Sequence, residues 1–428
     1  GRAINAAYTD PVHTDRQPEP AVSANVRPSV AIYNGMFRHN FSSYGGAIYN
    51  YNGDVSMSTP TFSNNSATHE GGAVFNTLYS RMDMFSPVLE DNYAYFSAGA
   101  IANSATLNLF TPTLRDNEAR LYNGGAIVNY ADLMIDSGVF SGNYAGDSGG
   151  AVYNAAQLTV DSTLFWQNSA YYNGGAIVNT RFNGFATINN ATFEQNSTGY
   201  NGGAISNQDA VLNINGSQFI DNSTSYDGGA IQVYTRYDNG TFDITGSFFT
   251  GNIADYGGAI HYHTESFLNS SVEITSSTFN QNIGRVDGGA VYTAAPLTMS
   301  SSCITNNSDT AVVNGMNVPI TVTQNWWGVP LGPSYYTNFG DSLTGPAFYI
   351  PYTTLQPFTC DSVADADLAF EMTASEPVVI AGDSVNVAFS VTNLSSDAAP
   401  DVRLRVALSP DVTYITLPAG CSADGAAI

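Results

Sequence analysis

The 428-residue chain contains no lysine: all 12 of its basic residues are arginine, set against 36 Asp and Glu. So few cations leave little with which to neutralise phosphates, which excludes nucleic-acid binding. The formal net charge of −24 also sets the molecule against anionic membranes. No stretch approaches the roughly 20 consecutive apolar residues that a membrane-spanning helix needs, so direct membrane insertion is not expected. Cysteine is nearly missing, at 3 in the chain, and charged residues of both signs make up only 11%. Poverty of charge does not mean disorder here, because 43% of the residues are hydrophobic and 12% aromatic, enough for a sizeable core. The first residues, Gly1-Arg2-Ala3-Ile4-Asn5, hold neither an initiator Met nor a basic-then-apolar leader and read as a processed or excerpted start.

What the chain has in abundance is a repeat. Gly45-Gly46-Ala47-Ile48 returns as Gly71-Gly72-Ala73-Val74 and Gly124-Gly125-Ala126-Ile127, and the Ala recurs at 47, 73, 100, 126, 151, 176, 204, 230, 259 and 290. A second motif keeps the same beat: Phe, Leu or Ile followed three residues later by Asn, from Phe37/Asn40 through Phe165/Asn168 to Ile304/Asn307. Between the two lies a short alternating run such as Leu158-Thr159-Val160-Asp161, whose period of two is that of a strand with one buried face. Helical spacing is missing. Three short strands per repeat of about 26 residues close into one coil of a right-handed parallel β-helix, with about eleven coils stacked roughly 4.8 Å apart into a rod on the order of 50 Å long. The leucine-rich horseshoe has a similar period, but its Leu-rich strand and helical return are missing.

Stacking gives each recurrent residue a reason. The Gly pair permits a tight corner, and the following Ala faces a crowded interior. Phe stacks on Phe. Asn40, Asn65, Asn92, Asn117, Asn143, Asn168, Asn196, Asn222, Asn252, Asn282 and Asn307 are expected to form a structural ladder, each amide donating to the next carboxamide oxygen. A second Asn ladder is expected at 50, 76, 103, 129, 154, 179 and 207. Glycan acceptor sequences at Asn196 and Asn222 fall on the first ladder, where burial makes them poor acceptors.

The alternation of G-G-A-[IVL] with F-x-x-N resembles the chlamydial polymorphic outer-membrane proteins and related bacterial β-helix surface proteins, over about residues 31–310. That resemblance implies secretion, display at the cell surface and an adhesive or structural role. After the last coil, Gln324-Asn325-Trp326-Trp327-Gly328 is similar to segments that close β-helices, and the paired Trp reads as a cap, with a sugar-stacking platform as the alternative. From residue 363 onward, alternation with turn signals every few residues resembles part of an immunoglobulin-like surface repeat. The expected division is therefore an N-terminal strand and polar arm at 1–30, a capped β-helix at 31–362 and a partial immunoglobulin-like β-sandwich at 363–428. Cys303 and Cys360 are the candidate disulfide, worth roughly 4 kcal/mol in the chain-entropy model, which leaves Cys421 to seek a partner elsewhere.

Chemistry is harder to find. Asp136 and Asp161 hold the same place in neighbouring repeats, but each follows an inward-facing residue and so faces solvent, which speaks against a hydrolase pair. Arg115, Arg120, Arg181, Arg236 and Arg285 are too scattered to serve as a lyase base. His261, His263 and Glu265 share one strand face without a metal ligand from an identified neighbouring coil. Asp227 and Asp287 stand where other repeats have a turn Asn. No catalytic, cofactor or metal residue is therefore expected. Tyr44, Tyr122, Tyr172, Tyr200, Tyr226 and Tyr256 stand just before the Gly pair and should line one edge of the rod, either as stacked corner packing or as a stripe for glycans or lateral contacts. The reading is an extracellular structural or adhesive surface protein that self-associates head to tail into a filament, with glycans or cell-surface components as further partners. The alternative is a carbohydrate-active or glycan-binding β-helix.

Overall fold

A computed structural model describes residues 4–6, 27–180, 184–236, 241–265, 271–308, 310–334, 341–354, 368–374 and 387–393. Two compact units divide the chain, Gly1–Cys360 and Asp361–Ile428. Within the second, the strands Leu368–Ala374 and Val387–Asn393 pair antiparallel. The rest of the expected sandwich lies outside the described residues, as do the arm at 7–26, Cys360 and Cys421.

The first unit is a parallel β-helix, and its coil has four sides where the sequence pointed to three. The described strands fall into parallel sheets of 13, 13, 11 and 10 members, in each of which every strand pairs with its counterpart one repeat later. The first sheet holds the G-G-A-I strands, the second the alternating runs and the third the F-x-x-N strands. The fourth is made of very short pieces such as Tyr93–Ala94 and Glu118–Ala119, whose buried Ala residues stack on one another. Its signal is the Ala or Thr two residues after most ladder Asn residues, as in Asn92-Tyr93-Ala94 and Asn222-Ser223-Thr224. Two residues are too few to show a period of two, so this side is invisible to a periodicity argument. At the start of the chain, Ile4–Ala6 pairs with Ile48–Asn50 in the register that the likeness of Gly1-Arg2-Ala3-Ile4 to G-G-A-I predicts.

The corners explain the motifs. Each ladder Asn follows a residue in the left-handed region, such as Asp91 at φ 53° or Asp221 at φ 52°, which turns the chain from the third sheet into the fourth. The Asn then serves three coils. Asn168 donates from Nδ2 to Asn196 Oδ1 (3.0 Å) and to the Phe140 carbonyl (2.8 Å), while its backbone N–H also reaches Asn196 Oδ1 (3.0 Å). The pattern runs without a gap from Asn40 to Asn307, all pointing the same way. At the Gly pair, the two glycines do different work. Gly71 needs φ +66°, whereas a Cβ on Gly72 would sit 2.0 Å from the carbonyl oxygen of Gly99 in the next coil.

Inside, Phe165, Phe193, Phe219, Phe249 and Phe279 stack at 4.7–4.8 Å between ring centroids and within 3° of parallel. Trp327 is fully buried in the same core, and Trp326 bridges to Cys303 as the next strand of the third sheet would. The pair therefore closes the core, and neither ring is free to act as a platform. Asp341 ends the ladder: its Oδ1 accepts from both the backbone N–H (2.9 Å) and Nδ2 (3.2 Å) of Asn307. Burial pushes this carboxyl up to about 6, against the downward pull of the Asn307 and Asn306 hydrogen bonds. Cys303 is buried and disulfide-bonded.

Candidate ligand-binding groove

The second Asn ladder runs from Asn50 to Asn207, each Nδ2 donating to the next Oδ1 at 2.7–2.9 Å. Its side chains also close the corner after the first sheet: Asn103 Nδ2 bonds the Ala105 carbonyl at 2.8 Å, and Ala105 N–H returns to Asn103 Oδ1. Where this Asn is present the strand stops at three or four residues, as in Ile101–Asn103 and Ile205–Gln208. After Asn207 the register position passes to Val233, Tyr262 and Thr293. Val233 and Tyr262 have no carboxamide with which to turn the chain, and the strands run on to five residues, Ile231–Thr235 and Ile260–Thr264.

The extra length raises a wall. Gln208, Tyr234, His263 and Ala294 are in register two residues beyond the usual outward position. On the opposite side stands the corner column Asn173, Asn201, Asp227 and Tyr256, joined by β-bridges. Between them lie the outward residues Gln232, His261 and Tyr292, of which Gln232 and His261 are buried although they point away from the core. The result is a groove of about 700 Å³. In earlier coils the same outward column is apolar, with Ala102 and Val128 clustering with the corner residue Ala98 against Phe75 and Tyr153.

Ring pairs line the groove. His261 stacks on Tyr292 (5.2 Å, 13°), His263 on Tyr234 (5.8 Å, 3°), and Tyr256 meets Tyr292 edge-on at 5.4 Å. Ser206 Oγ donates to Gln232 Oε1 (2.8 Å) and accepts from Gln208 Nε2 (3.1 Å). His261 Nδ1 lies 3.7 Å from Asp227 Oδ2, too far for a hydrogen bond, and this buried nitrogen has no hydrogen-bond partner among the described residues. Burial, with His263 adding to it, pushes the His261 imidazole down to about 3, so it is neutral and the contact with Asp227 is not an ion pair. Burial raises the Asp227 carboxyl; the neighbouring His263 opposes the rise and Asp255 adds to it.

Other sequence candidates fall elsewhere. The six tyrosines do not form one stripe. Tyr172, Tyr200 and Tyr226 make a continuous exposed stack with centroids 5.2 Å apart. Tyr44 and Tyr122 are the ends of a separate stack through His69 and Phe96, and Asp147 interrupts the edge between the two. Tyr256 sits one register place away, opposite Asp227, and turns to Tyr292. Asp136 and Asp161 do pair in register and are half-buried on the outward side, each accepting from its neighbouring Ser hydroxyl. Arg115 pairs with Glu90, Arg285 with Asp255 (2.8 Å) and Arg236 with Glu265 (3.4 Å), while Arg181 lies outside the described residues. Among the described residues no three His, Cys, Asp or Glu side chains converge as metal ligands. The sequence did place His261 and His263 on one face, but Gln208, Gln232, Tyr234 and Tyr292 went unnoticed. A signal exists for part of the groove: the residue after G-G-A-[IV], which is Tyr, Phe or Val in earlier coils, becomes Ser206, Gln232 and His261.

Three stretches match the model of the Chlamydia polymorphic membrane protein repeat: residues 61–77, 137–155 and 190–208. Each contains one F-x-x-N or its ladder Asn together with the following G-G-A segment. The first unit is thus a parallel β-helix, three stretches of which are similar to that repeat. No curated protein and no solved structure matches it.

Proposed function

We propose that this chain is a rigid, non-enzymatic rod displayed at the bacterial cell surface as a structural and adhesive element. The observation that carries the reading is the amide ladder, which fixes the register of eleven successive coils through buried bonds and has no break at which the rod would bend. The surface-family repeat supports the location. A hydrolase is disfavoured because, among the described residues, Asp227 is the single carboxylate lining the groove. Protease shaving of intact cells that produce the protein tests display: its peptides should leave with the supernatant while cytoplasmic markers stay behind. Peptides released only after lysis would refute it.

Head-to-tail assembly into a filament is the second part of the proposal. It is supported by the apolar residues Met36 and Phe41, 63% and 69% exposed in the first full coil, a surface that a neighbouring copy would cover. Electron microscopy of the purified protein at high concentration should show fibres with an axial repeat close to one subunit, and a monodisperse population of single rods would refute this part.

A further inference from the structure

The geometry points to the groove over Gln232, His261 and Tyr292 as a binding site for a neutral oligosaccharide lying along the rod axis. This goes beyond surface display and does not depend on it.

Four features argue for a polyhydroxylated ligand. First, the lining repeats along the axis. Asn173, Asn201, Asp227 and Tyr256 come from four successive coils, so polar groups recur roughly every 4.8 Å. A polymer of similar units fits such a row better than a compact molecule does. Second, ring faces alternate with polar groups: Tyr256 and Tyr292 offer apolar faces for the C–H surfaces of pyranose rings and hydroxyls for hydrogen bonds, beside Tyr234, whose own hydroxyl is engaged by Glu265 and Arg236. Third, the site has unmet hydrogen-bonding capacity of both kinds. The Ser206 network uses Gln232 Oε1 and Gln208 Nε2, which leaves Gln232 Nε2 as a donor and Gln208 Oε1 as an acceptor. His261 Nδ1, in a side chain nine-tenths buried, completes the set. A hydroxyl group both donates and accepts, so it satisfies all three; an ammonium only donates and would leave the carboxamide N–H groups unmet. Fourth, the charge excludes acidic sugars. Among the described residues no cation lines the groove, Asp227 stands in its wall, and the nearby Arg236 is engaged by Glu265. A uronate or sulfated chain would be repelled, while Asp227 accepts from two neighbouring hydroxyls.

The test is isothermal titration calorimetry of the full chain against maltohexaose, cellohexaose and chitohexaose, with polygalacturonate and pentalysine as charged controls. At least one neutral hexasaccharide should bind, and polygalacturonate should not. Tyr292→Ala should weaken that binding at least tenfold. Because Tyr292 stacks on His261 and its loss risks the local fold, Gln232→Ala and Gln208→Ala serve as milder variants, expected to weaken binding several-fold with an unchanged circular dichroism spectrum and melting midpoint. Tyr200→Ala, on the exposed stack outside the groove, should bind as the parent does. Failure of all three neutral sugars to bind the folded chain would overturn the proposal. So would binding that Tyr200→Ala weakens and the groove variants do not, and so would binding of pentalysine alone, which would make the groove an amine site.

Discussion

The two asparagine ladders of this rod begin alike and end differently. Both place a fully buried carboxamide at a corner, and both link it to the same residue of the next coil. The F-x-x-N ladder continues through every coil to Asp341, whereas the other stops at Asn207, and the groove opens in the coils that follow. The difference lies in what each Asn supports. An F-x-x-N side chain such as that of Asn196 accepts two bonds from the Asn of the previous coil and donates one to the Asn of the next coil and one to the previous Phe carbonyl, so replacing it orphans groups in two neighbours. The second Asn also bonds the next coil, but its oxygen holds an N–H of its own turn where the F-x-x-N oxygen holds a backbone N–H of the coil before, and a coil that gives up the turn can run its strand straight on. Regularity is therefore compulsory at one corner and negotiable at the other, and the rod departs from its repeat where departure is cheap.

The comparison can be broken most directly in the compulsory ladder. Asn196→Ala removes the acceptor of two Asn168 donors and the donor to the Phe165 carbonyl, all buried, and should cost about 3–5 kcal/mol in urea unfolding. Phe219→Ala, in the middle of the ring stack, should cost a similar amount, about 3–5 kcal/mol, through the cavity it leaves. A loss below about 1 kcal/mol at either site would mean that the coils are not coupled as described.

Asp341 sharpens the role of the ladder's end. Its folded-state carboxyl is raised to about 6 from an ordinary value of 3.8, so the folded form holds the proton more tightly. Stability from this group is fully present below about pH 4 and is lost as pH rises through about 6, a loss on the order of 1–3 kcal/mol. Asp341→Asn keeps the acceptor oxygen without the charge and should flatten this part of the pH profile. An unchanged profile would remove Asp341 from the account.

Asn207→Ala, at the end of the negotiable ladder, orphans one donor of Asn179 and one turn carbonyl, and should cost only about 1–2 kcal/mol. If it matched Asn196→Ala, the two corners would not differ. Smallest of all, Tyr200→Ala should leave the unfolding midpoint where it was, since the ring is exposed between Tyr172 and Tyr226.

Much of the helix was legible because stacking translates a structural column into a sequence period. Phe193 over Phe219, Asn196 over Asn222 and Gly203 over Gly229 are each one repeat apart, and each residue type has a steric or hydrogen-bonding reason to recur. The fourth sheet escaped notice because two-residue strands carry no alternation. The tyrosine edge was misjudged for another reason: one register slip at Tyr256 and one Asp147 divide it, and neither disturbs the count of Tyr before Gly.

The groove marks where sequence alone runs out. From the chain itself come the coil, its eleven F-x-x-N rungs, its buried faces and the poverty of cations, because these depend on composition and on contacts between like residues one period apart. That His261 is buried, that Asp227 stands 3.7 Å from it, and that Gln232, Tyr234 and Tyr292 share a concave surface depend on unlike residues from several coils. No period links them. Their meeting was decided by how far each strand runs past its corner, and only the folded stack fixes that.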